Sequence, residues 1–287
     1  MQIIRIPRIM QDEVKTQRMH GKSIGFVPTM GALHEGHKSL LRTSRLENDI
    51  VVSSIFVNPL QFGPKEDFQR YPRDIEKDTK LLREAEVDIL FLPDASSMYP
   101  DGFSVSIDVE GLSEKLCGQF RQGHFKGVAT VVTKLFNIVY PTRAYLGQKD
   151  YQQYLIIKRL VNDLNMEVDV VICPTQRAED GLAMSSRNQY LKPEERKSAG
   201  IIYRALKSAS EKIKSGTMDV AKIKGLMWDI LKPEPLIAEV QYAGVYDVES
   251  LDELTEIKDN ALLAVAVKFG DVRLIDNMLV VCNKPSQ

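Results

Sequence analysis

The sequence predicts an α/β fold: a Rossmann-like parallel sheet with helices on both faces, followed by a smaller α+β domain. Short apolar runs rich in β-branched residues recur along the first 174 residues, and helical patterns lie between them. After about residue 177 this alternation ends, and helices are followed by strands. A chain of 287 residues can form two domains of ordinary size. We therefore predict an N-terminal domain over 1–177 and a C-terminal domain over 178–287.

Five apolar runs predict the strands of the parallel sheet. Strands that are covered by helices on both faces are apolar along their whole length, rather than alternating. Each run is short and ends in a turn or at a charged residue. The predicted strands are 23–29, 49–57, 88–93, 143–147 and 167–174.

Helical periodicity fills the connections between these strands. Strands that alternate with helices indicate βαβ units with right-handed crossovers. In the last helix, one face carries the apolar residues Tyr154, Ile157, Leu160, Val161 and Leu164. The predicted helices are 36–48, 74–85, 127–139 and 151–165.

The C-terminal region predicts two helices and then strands. "LKPEERKSAG" places Pro193 near a helix N-terminus, so we expect one long helix that ends at about Lys214. A second helix is expected over 219–231, and "PEP" then interrupts the chain. Apolar runs over 239–247 and 261–276 predict strands, with the second split at Gly270.

Composition argues against several classes of protein. The net charge is -1, from 38 basic and 39 acidic side chains, whereas nucleic-acid binding usually needs a basic face. The N-terminus lacks the apolar core of a signal peptide, and no run of about 18 apolar residues predicts a membrane span. Cys117, Cys173 and Cys282 lie far apart, which argues against a structural zinc site and suits a reducing compartment. We expect a cytoplasmic protein.

A pair of histidines stands out in "PTMGALHEGH", residues 28–37. His34 and His37 follow a predicted strand and open a predicted helix, where α/β folds bind ligands. Free backbone N–H groups at a helix N-terminus attract phosphate, and Gly31 and Gly36 allow a close approach to the backbone. The alternative is a histidine pair that only caps the helix or fills the core. The strand–turn–helix context favours a phosphate site.

A second polar segment, "MSSRN", follows much later, at residues 184–188. It offers two hydroxyl groups and the guanidinium of Arg187, which can bind two phosphate oxygens at once. On its own the segment would be interpreted as a surface turn. An early histidine pair with a late loop of this kind is similar to the arrangement in the nucleotidyltransferases related to class I aminoacyl-tRNA synthetases.

Six segments together resemble the pantoate–β-alanine ligase family, over nearly the full length of the chain. Each is a modest signal alone, but six in this order are very specific. They are "PTMGALHEGH", "FVNPLQFGPKEDFQRYPRD" (56–74), "GHFKGVATVVTKLFNIV" (123–139), "LGQKDYQQ" (146–153), "DGLAMSSRNQYL" (180–191) and "RLIDN" (273–277).

The resemblance implies an activity, cofactors and an assembly. The implied reaction is the ATP-dependent condensation of pantoate with β-alanine to pantothenate, through a pantoyl adenylate, with release of AMP and pyrophosphate. It implies Mg²⁺, which we expect the ATP phosphates and water to hold, since no dedicated carboxylate cluster stands out. It also implies a homodimer through the N-terminal domains, an ATP- and pantoate-binding N-terminal domain, and a C-terminal domain that acts as a lid.

The resemblance assigns site residues to this sequence. The catalytic residues would be His34, His37, Lys149 and Arg187, with His37 the position that the family treats as a proton donor. Lys149 suits the phosphates, and Asp150 with Gly147 suits the ribose, although Asp150 could simply cap a helix. The implied ATP contacts are Met30, Gly31, Ala32, Leu33, His34, Glu35, Gly36, His37, Gly147, Gln148, Lys149, Asp150, Gln176, Met184, Ser185, Ser186 and Arg187.

Neutral polar residues are expected around pantoate, which carries one carboxylate and two hydroxyls. Gln61 and Gln153 can both donate and accept hydrogen bonds, and Asn58 and Tyr71 are expected beside them. Without the resemblance, such glutamines would be interpreted as solvated. Arg121 is the candidate for the β-alanine carboxylate. Around it the chain departs from the family, which has a proline near Gln122 and a basic or small residue near Phe120, and His124 is expected to hold this loop.

Two other functions fit parts of the pattern. A different adenylyltransferase would keep the ATP residues and change the acceptor, but Gln61 and Gln153 argue against it. A nucleotide- or tRNA-binding module without activity would not need His34, His37 and Lys149 together. The near-neutral charge also argues against tRNA.

Overall fold

The computed structural model describes residues 1–64 and 66–281, so Cys282 lies outside the described residues. They form two compact units. The N-terminal unit comprises 1–114, 121–148 and 153–174, and the C-terminal unit comprises 115–120, 149–152 and 175–287 as far as it is described. The domain division at residue 177 and the role of the C-terminal domain as a lid stay predictions.

A six-stranded parallel sheet forms the centre of the N-terminal unit. The strand order is β1-β4-β3-β2-β5-β6, and every neighbouring pair is parallel. All five predicted strands are confirmed, and most are slightly shorter than predicted. The strands are β1 (Gln2–Ile4), β2 (Ile24–Thr29), β3 (Ile50–Ile55), β4 (Ile89–Phe91), β5 (Arg143–Gly147) and β6 (Asp169–Cys173).

Helices cover both faces of this sheet. Phe26 and Val27 are adjacent on β2 and point into different apolar clusters, because side chains alternate across a strand. The helices of this unit are α1 (Pro7–Met19), α2 (Glu35–Glu47), α3 (Ile75–Glu84), α4 (Ala95–Met98), α6 (His124–Val139) and α7 (Tyr151–Asp163), whereas α5 (Cys117–Phe120) belongs to the C-terminal unit. Buried residues of α1, α6 and α7 pack in the cluster with Phe26, and those of α2 and α3 in the cluster with Val27.

Two differences from the sequence prediction concern this unit. No element is predicted before residue 23, whereas β1 and α1 occupy that stretch. On α7 the predicted apolar face is correct for Ile157, Leu160 and Val161, which are buried, but Leu164 is 51% exposed. Leu164 follows the end of α7 at Asp163, so it no longer follows the helical period.

The C-terminal unit contains helices and an antiparallel sheet in the order β7-β8-β9. The single helix predicted to Lys214 is wrong, because the helix is interrupted at Ala199 and Gly200. A side chain at Gly200 would come within 3.0 Å of the Asp180 carbonyl oxygen. The predicted split at Gly270 is confirmed. The elements are α8 (Pro193–Ser198), α9 (Ile201–Lys214), α10 (Val220–Leu231), β7 (Ile237–Tyr246), β8 (Asn260–Phe269) and β9 (Val272–Val281).

The helices of both units are too short or too polar to cross a bilayer, as far as residues 1–64 and 66–281 are concerned.

Candidate active site

The order of the strands reverses between β2 and β5. The chain runs from β2 to β3 and β4 on one side, and then returns to place β5 and β6 on the other side. In doubly wound sheets ligands bind beyond the carboxyl ends of the strands where the order reverses. The segment 30–37 leaves β2 at this point, Gly147 ends β5, and Gln148 follows it.

The loop after β2 is held from behind by a buried carboxylate that the sequence analysis did not identify. Asp78 on α3 accepts hydrogen bonds from the Ala32 N–H at 2.9 Å and the Leu33 N–H at 2.8 Å. It is 1% exposed, and burial raises its pKa although both N–H groups oppose the shift. Thr29 adds a second support, because its hydroxyl accepts from the Gly31 N–H at 3.1 Å.

The backbone of this loop has left-handed conformation at two successive residues. Gly31 has φ 85° and Ala32 has φ 50°. Glycine adopts such angles readily, whereas alanine does so at a cost that the surrounding contacts must offset. A side chain at Gly31 would also approach Asp78 at 3.0 Å. Asp78 and Gly31 therefore fix the path of the loop that precedes His34.

His34 and His37 form a reciprocal capping box at the start of α2. The Nδ1 atom of His34 accepts from the Gly36 N–H at 3.1 Å, and Nδ1 of His37 accepts from the His34 N–H at 3.3 Å. The rings lie 4.2 Å apart between centroids. The two histidines therefore cap the helix, as one interpretation of the sequence predicted. This capping role is compatible with a role in binding phosphate.

The capping box sets the tautomer of both rings. A nitrogen that accepts a hydrogen bond carries no proton, so in each neutral imidazole the proton lies on Nε2. Protonation at Nδ1 would turn the acceptor into a donor facing a backbone N–H. Each ring thus presents an Nε2–H donor at the N-terminus of a helix, where the helix dipole also favours anions.

Asn58 and Gln61 form a buried amide pair after β3. The Asn58 amide donates to Gln61 Oε1 at 3.0 Å and to the Gly127 carbonyl at 3.1 Å. Its oxygen accepts from the Tyr99 hydroxyl at 2.8 Å and from the Leu60 N–H at 3.3 Å. These contacts fill the hydrogen-bonding capacity of the Asn58 side chain. Asn58 therefore acts on the site by holding Gln61.

Gln61 is also fixed from the opposite side. Its Nε2 donates to the sulfur of Met30 at 3.2 Å, so the structure brings a predicted ATP residue and a predicted pantoate residue together. The short helix that carries Gln61 lies directly against α6 at Gly127. A side chain at that glycine would come within 2.3 Å of the Leu60 carbonyl oxygen.

Arg121 is paired with a carboxylate that the sequence analysis missed. Its Nε donates to Glu66 Oε1 at 2.6 Å, and Nη2 donates to Oε2 at 2.7 Å. Burial opposes ionisation of Glu66, but the hydrogen bond and charge of Arg121 outweigh it and lower the pKa from 4.5 to about 2. His124 holds this arrangement, as predicted: Nδ1 lies 2.8 Å from the Gln61 carbonyl and Nε2 lies 2.9 Å from Arg121 Nη1.

The remaining predicted residues of the N-terminal unit lie on nearby elements. Glu35 is in the first turn of α2, where it pairs loosely with Lys38 at 3.9 Å. Gln153 is half-buried on α7. Tyr71 is buried, and its ring contacts Phe62 edge to face at 5.9 Å between centroids, which packs it against the segment that leads to Glu66.

The C-terminal unit holds the other predicted ATP residues in two segments. In the first, Lys149 Nζ lies 3.1 Å from Asp150 Oδ1. In the second, residues 176–184 form a hairpin in which the Met184 N–H donates to the Gln176 carbonyl at 2.9 Å. Ser185 then caps a short 3-10 helix, Ser186–Tyr190, by accepting from the Arg187 N–H at 3.3 Å.

Among residues 1–64 and 66–281, histidine, cysteine and acidic side chains form no group of three that could hold a metal ion. A Mg²⁺ ion bound chiefly by nucleotide phosphates and water would need no such group. The two imidazole N–H groups at the start of α2 are suited to an anion rather than a cation.

The strand order and the anion-binding loop at its reversal define a doubly wound α/β protein with a nucleotide-type site. Comparison with known proteins gives the family. The family model described as pantoate-beta-alanine ligase matches residues 2–279. A pantothenate synthetase of Thermodesulfovibrio yellowstonii is 59% identical over 280 residues, which cover 98% of this chain and 100% of that protein. The chain belongs to the pantoate–β-alanine ligase family.

Solved structures agree with this assignment. The pantothenate synthetase of Thermus thermophilus superimposes with a TM-score of 0.93 at 46% identity, covering 97% of this chain and 99% of that one. The pantoate-beta-alanine ligase of Francisella tularensis, complexed with beta-gamma ATP and beta-alanine, gives a TM-score of 0.79 at 36% identity, covering 97% of both chains.

Proposed function

We propose that this ligase joins pantoate to β-alanine in two steps, through a pantoyl adenylate. In the first step a pantoate carboxylate oxygen attacks the α-phosphorus of ATP, and pyrophosphate leaves. In the second step the β-alanine amine attacks the acyl carbon and loses a proton, the bond from that carbon to the phosphate oxygen breaks, and AMP leaves. The Francisella tularensis relative, complexed with beta-gamma ATP and beta-alanine, supports both ligands for this chain.

The observation that carries the proposal is the capping box of His34 and His37. Negative charge shifts onto the phosphate oxygens as the bond to pyrophosphate breaks. The hydrogen bonds at Nδ1 fix the direction of both rings. Their two Nε2–H donors therefore stabilise that charge without reorganising during the reaction. His37 supplies the proton-donor position through Nε2–H, because its Nδ1 is engaged with the backbone.

Pantoate binds between the two glutamines in this proposal. The Gln61 amide is oriented by Asn58 and Met30, so its remaining donor and acceptor capacity has a defined direction. Gln153 completes the pocket, with Tyr71 at its side. Neutral amides hold a carboxylate and hydroxyls without lowering the nucleophilicity of the carboxylate as strongly as a cation would. Positioning of the two reactants supplies most of the rate enhancement.

The β-alanine carboxylate binds Arg121 in this proposal. The guanidinium fork is occupied by Glu66, so β-alanine has to replace one carboxylate by another. The contacts of Arg121 use four of the five N–H groups of a guanidinium: two go to Glu66, one to the Gln61 carbonyl and one to His124.

The C-terminal unit contributes the remaining ATP contacts. We assign Lys149, Ser185, Ser186 and Arg187 to the phosphates, Asp150 to the ribose together with Gly147 of the N-terminal unit, and the backbone at Gln176 to adenine. Mg²⁺ enters with ATP and neutralises phosphate charge, and phosphate oxygens and water hold it. The donor set of these residues fits a magnesium–nucleotide complex, which still carries net negative charge.

We also propose a cytoplasmic homodimer assembled through the N-terminal units. Apolar side chains at the start of the chain support the dimer: Ile6 is 53% and Ile9 50% exposed, and a second copy would cover them. Sedimentation of the purified protein tests the assembly. A mass of one chain at micromolar concentration would contradict it.

Isotope exchange tests the reaction itself. With ATP, magnesium and pantoate alone, the enzyme is expected to exchange labelled pyrophosphate into ATP. Sustained AMP release is expected only when β-alanine is added. Exchange that requires β-alanine would contradict a free pantoyl adenylate, and turnover with other acids in place of pantoate would favour a different adenylyltransferase.

A further inference from the structure

Two adjacent residues on β9, Asp276 and Asn277, contact two separate segments of the C-terminal unit. Both are 4% exposed, and neither belongs to the site residues assigned above. Successive side chains on a strand point to opposite faces. Asp276 binds the 176–184 hairpin, whereas Asn277 binds the segment that carries Lys149.

Asp276 forms a two-point ion pair with Arg177. Oδ2 lies 2.5 Å from Nη1 and Oδ1 lies 3.0 Å from Nη2. Arg177 also donates to the Gly181 carbonyl at 3.0 Å, and its guanidinium lies 4.5 Å from the centre of the Tyr203 ring. Because Arg177 follows Gln176 in the hairpin, this pair fixes the strand from which the predicted adenine contact is made.

The same ion pair is linked to the segment that carries Ser185 and Arg187, which are proposed to bind the phosphates. Arg177 pairs with Ala183 across the hairpin, and the Asn188 amide donates to the Ala183 carbonyl at 3.0 Å. Ser185 and Arg187 lie between these two residues. The position of the "SSR" segment is therefore set by backbone contacts that lead back to Asp276.

Asn277 fixes the second segment through the main chain. Its Nδ2 donates to the Lys149 carbonyl oxygen at 2.9 Å. The Asn277 N–H in turn donates to Asp276 Oδ1 at 2.8 Å. The Asp276 carboxylate therefore binds both Arg177 and the backbone of Asn277. A contact to the Lys149 carbonyl places the backbone of Lys149 without using its side chain, which pairs with Asp150.

We infer that Asp276 and Asn277 are positioning residues for ATP: one dipeptide sets the position of the hairpin that carries Gln176, of the segment after it that carries Arg187, and of the segment that carries Lys149. Neither side chain contacts ATP in this inference, and both act through the residues they hold. The inference rests on the proposed function, because it assumes that Lys149 and Arg187 bind the phosphates.

A double-mutant cycle on pyrophosphate exchange tests it. Asn277→Ala removes the donor to Lys149, and Asn277→Asp keeps the volume but places an acceptor against the carbonyl. Each is expected to lower kcat for exchange roughly tenfold, as for the loss of one well-oriented hydrogen bond. The KM for β-alanine in the overall reaction should stay unchanged. Leu279→Ala, on the same strand and 37% exposed, is the matched control and should exchange at the wild-type rate.

The cycle pairs Asn277→Ala with Lys149→Ala. If Asn277 acts through Lys149, its replacement should have almost no further effect once the lysine side chain is gone. The inference would be overturned if the fold-losses in kcat of the two single variants multiplied in the double variant. Wild-type exchange in both Asn277 variants would also overturn it. Wild-type exchange in Lys149→Ala would overturn the assignment of Lys149 itself, and the inference with it.

The Asp276 side is tested in the same way. Asp276→Asn keeps the shape and removes the charge that faces Arg177, and it should raise the KM for ATP several-fold with little change in the KM for pantoate. In an Arg187→Ala background this increase should largely disappear. Equal increases in both KM values, or an increase of the same size without Arg187, would indicate a general structural role and overturn the inference for Asp276.

Discussion

Glu66 occupies the guanidinium fork of Arg121, with Nε–Oε1 and Nη2–Oε2 distances of 2.6 and 2.7 Å. A carboxylate of the chain itself thus lies where the β-alanine carboxylate is proposed to bind. The pair is mostly buried, with side-chain exposures of 12% for the arginine and 25% for the glutamate. Two carboxylates cannot bind the same two N–H groups at once, so in the proposed binding mode the substrate and Glu66 compete.

Glu66→Gln is expected to lower the KM for β-alanine. The neutral amide is a weaker partner for the guanidinium, and charge-assisted hydrogen bonds contribute roughly 1.5–3 kcal/mol each. We expect a decrease of about tenfold or more, with the pyrophosphate exchange rate unchanged. Steady-state kinetics with varied β-alanine measures it, and Glu76→Gln, an exposed acid on α3, is the control. An increased KM would show that Glu66 helps to hold the arginine for the substrate.

The same ion pair predicts a pH dependence of stability. The pKa of Glu66 is 4.5 in the unfolded reference and about 2 in the folded protein. Its contribution to stability is therefore complete above pH 4.5 and is lost as the pH falls from 4.5 towards 2. Urea unfolding at about pH 5 and about pH 3 should show a smaller loss of the free energy of unfolding for Glu66→Gln than for the wild type. Equal losses would mean that the pair is not formed in solution.

Two replacements of His34 separate its capping role from its proposed catalytic role. Asparagine is among the best N-cap residues, whereas alanine is poor, and losing a cap costs about 0.5–2 kcal/mol. His34→Asn should keep the thermal stability, and His34→Ala should lower it. Both should reduce kcat for exchange roughly 10²–10³-fold, because both remove the Nε2–H donor. If His34→Asn kept the wild-type exchange rate, His34 would act only as a helix cap.

His37→Ala is expected to lose both the donor and half of the capping box. Its exchange rate should fall by a factor similar to that of His34→Ala. The double variant should lose less than the product of the two single losses, since the two rings contact each other at 4.2 Å between centroids. Exchange kinetics on the three variants measures this, and strictly multiplicative losses would argue against coupling.

Asp78→Asn tests the support behind the phosphate loop. The substitution replaces one of two acceptors by an NH₂ group that faces a backbone N–H, so it leaves a buried donor unsatisfied at a cost of about 1–3 kcal/mol. We expect lower thermal stability and a higher KM for ATP. Asp74→Asn is the control at the start of the same helix, because asparagine caps as well as aspartate does. An unchanged KM for ATP would show that the support of the loop by Asp78 does not affect nucleotide binding.

Gln153→Ala and Arg121→Ala should affect different half-reactions. Removing Gln153 should impair exchange, because the attacking carboxylate loses its positioning group. Arg121→Ala should largely spare exchange and raise the KM for β-alanine roughly ten- to a hundredfold. If Arg121→Ala abolished exchange as completely as overall synthesis, the arginine would belong to the ATP or pantoate site.

Most of the fold could be predicted from hydrophobic periodicity, because buried parallel strands are apolar throughout. The first strand could not: "QII" has three residues, pairs only with β4 and is followed by charge. The helix over 193–214 has continuous helical periodicity, yet it is interrupted at Ala199 and Gly200, where the Asp180 carbonyl lies close to the chain. Contacts of that kind arise from tertiary structure and leave no local pattern.

Sequence motifs identified the loops of the proposed site but not the contacts that hold those loops. One signal was present: Asp78 lies four residues before Leu82 on α3, so an acid occupies the buried face of an amphipathic helix. Such a residue needs buried partners, and the backbone after β2 provides them. Glu66 carried no comparable signal, because "GPKEDF" is typical of a solvated loop.

The contact between Gly127 and the Leu60 backbone has a consequence for how the enzyme tolerates change. In a survey of all single substitutions, position 127 would be grouped with the residues proposed to bind the acid, although it lies on α6 against the backbone next to Gln61. Any β-carbon there would displace the main chain that presents Gln61 by colliding with an oxygen 2.3 Å away. Altered acid selectivity is therefore more accessible through side chains that line the proposed pocket than through α6.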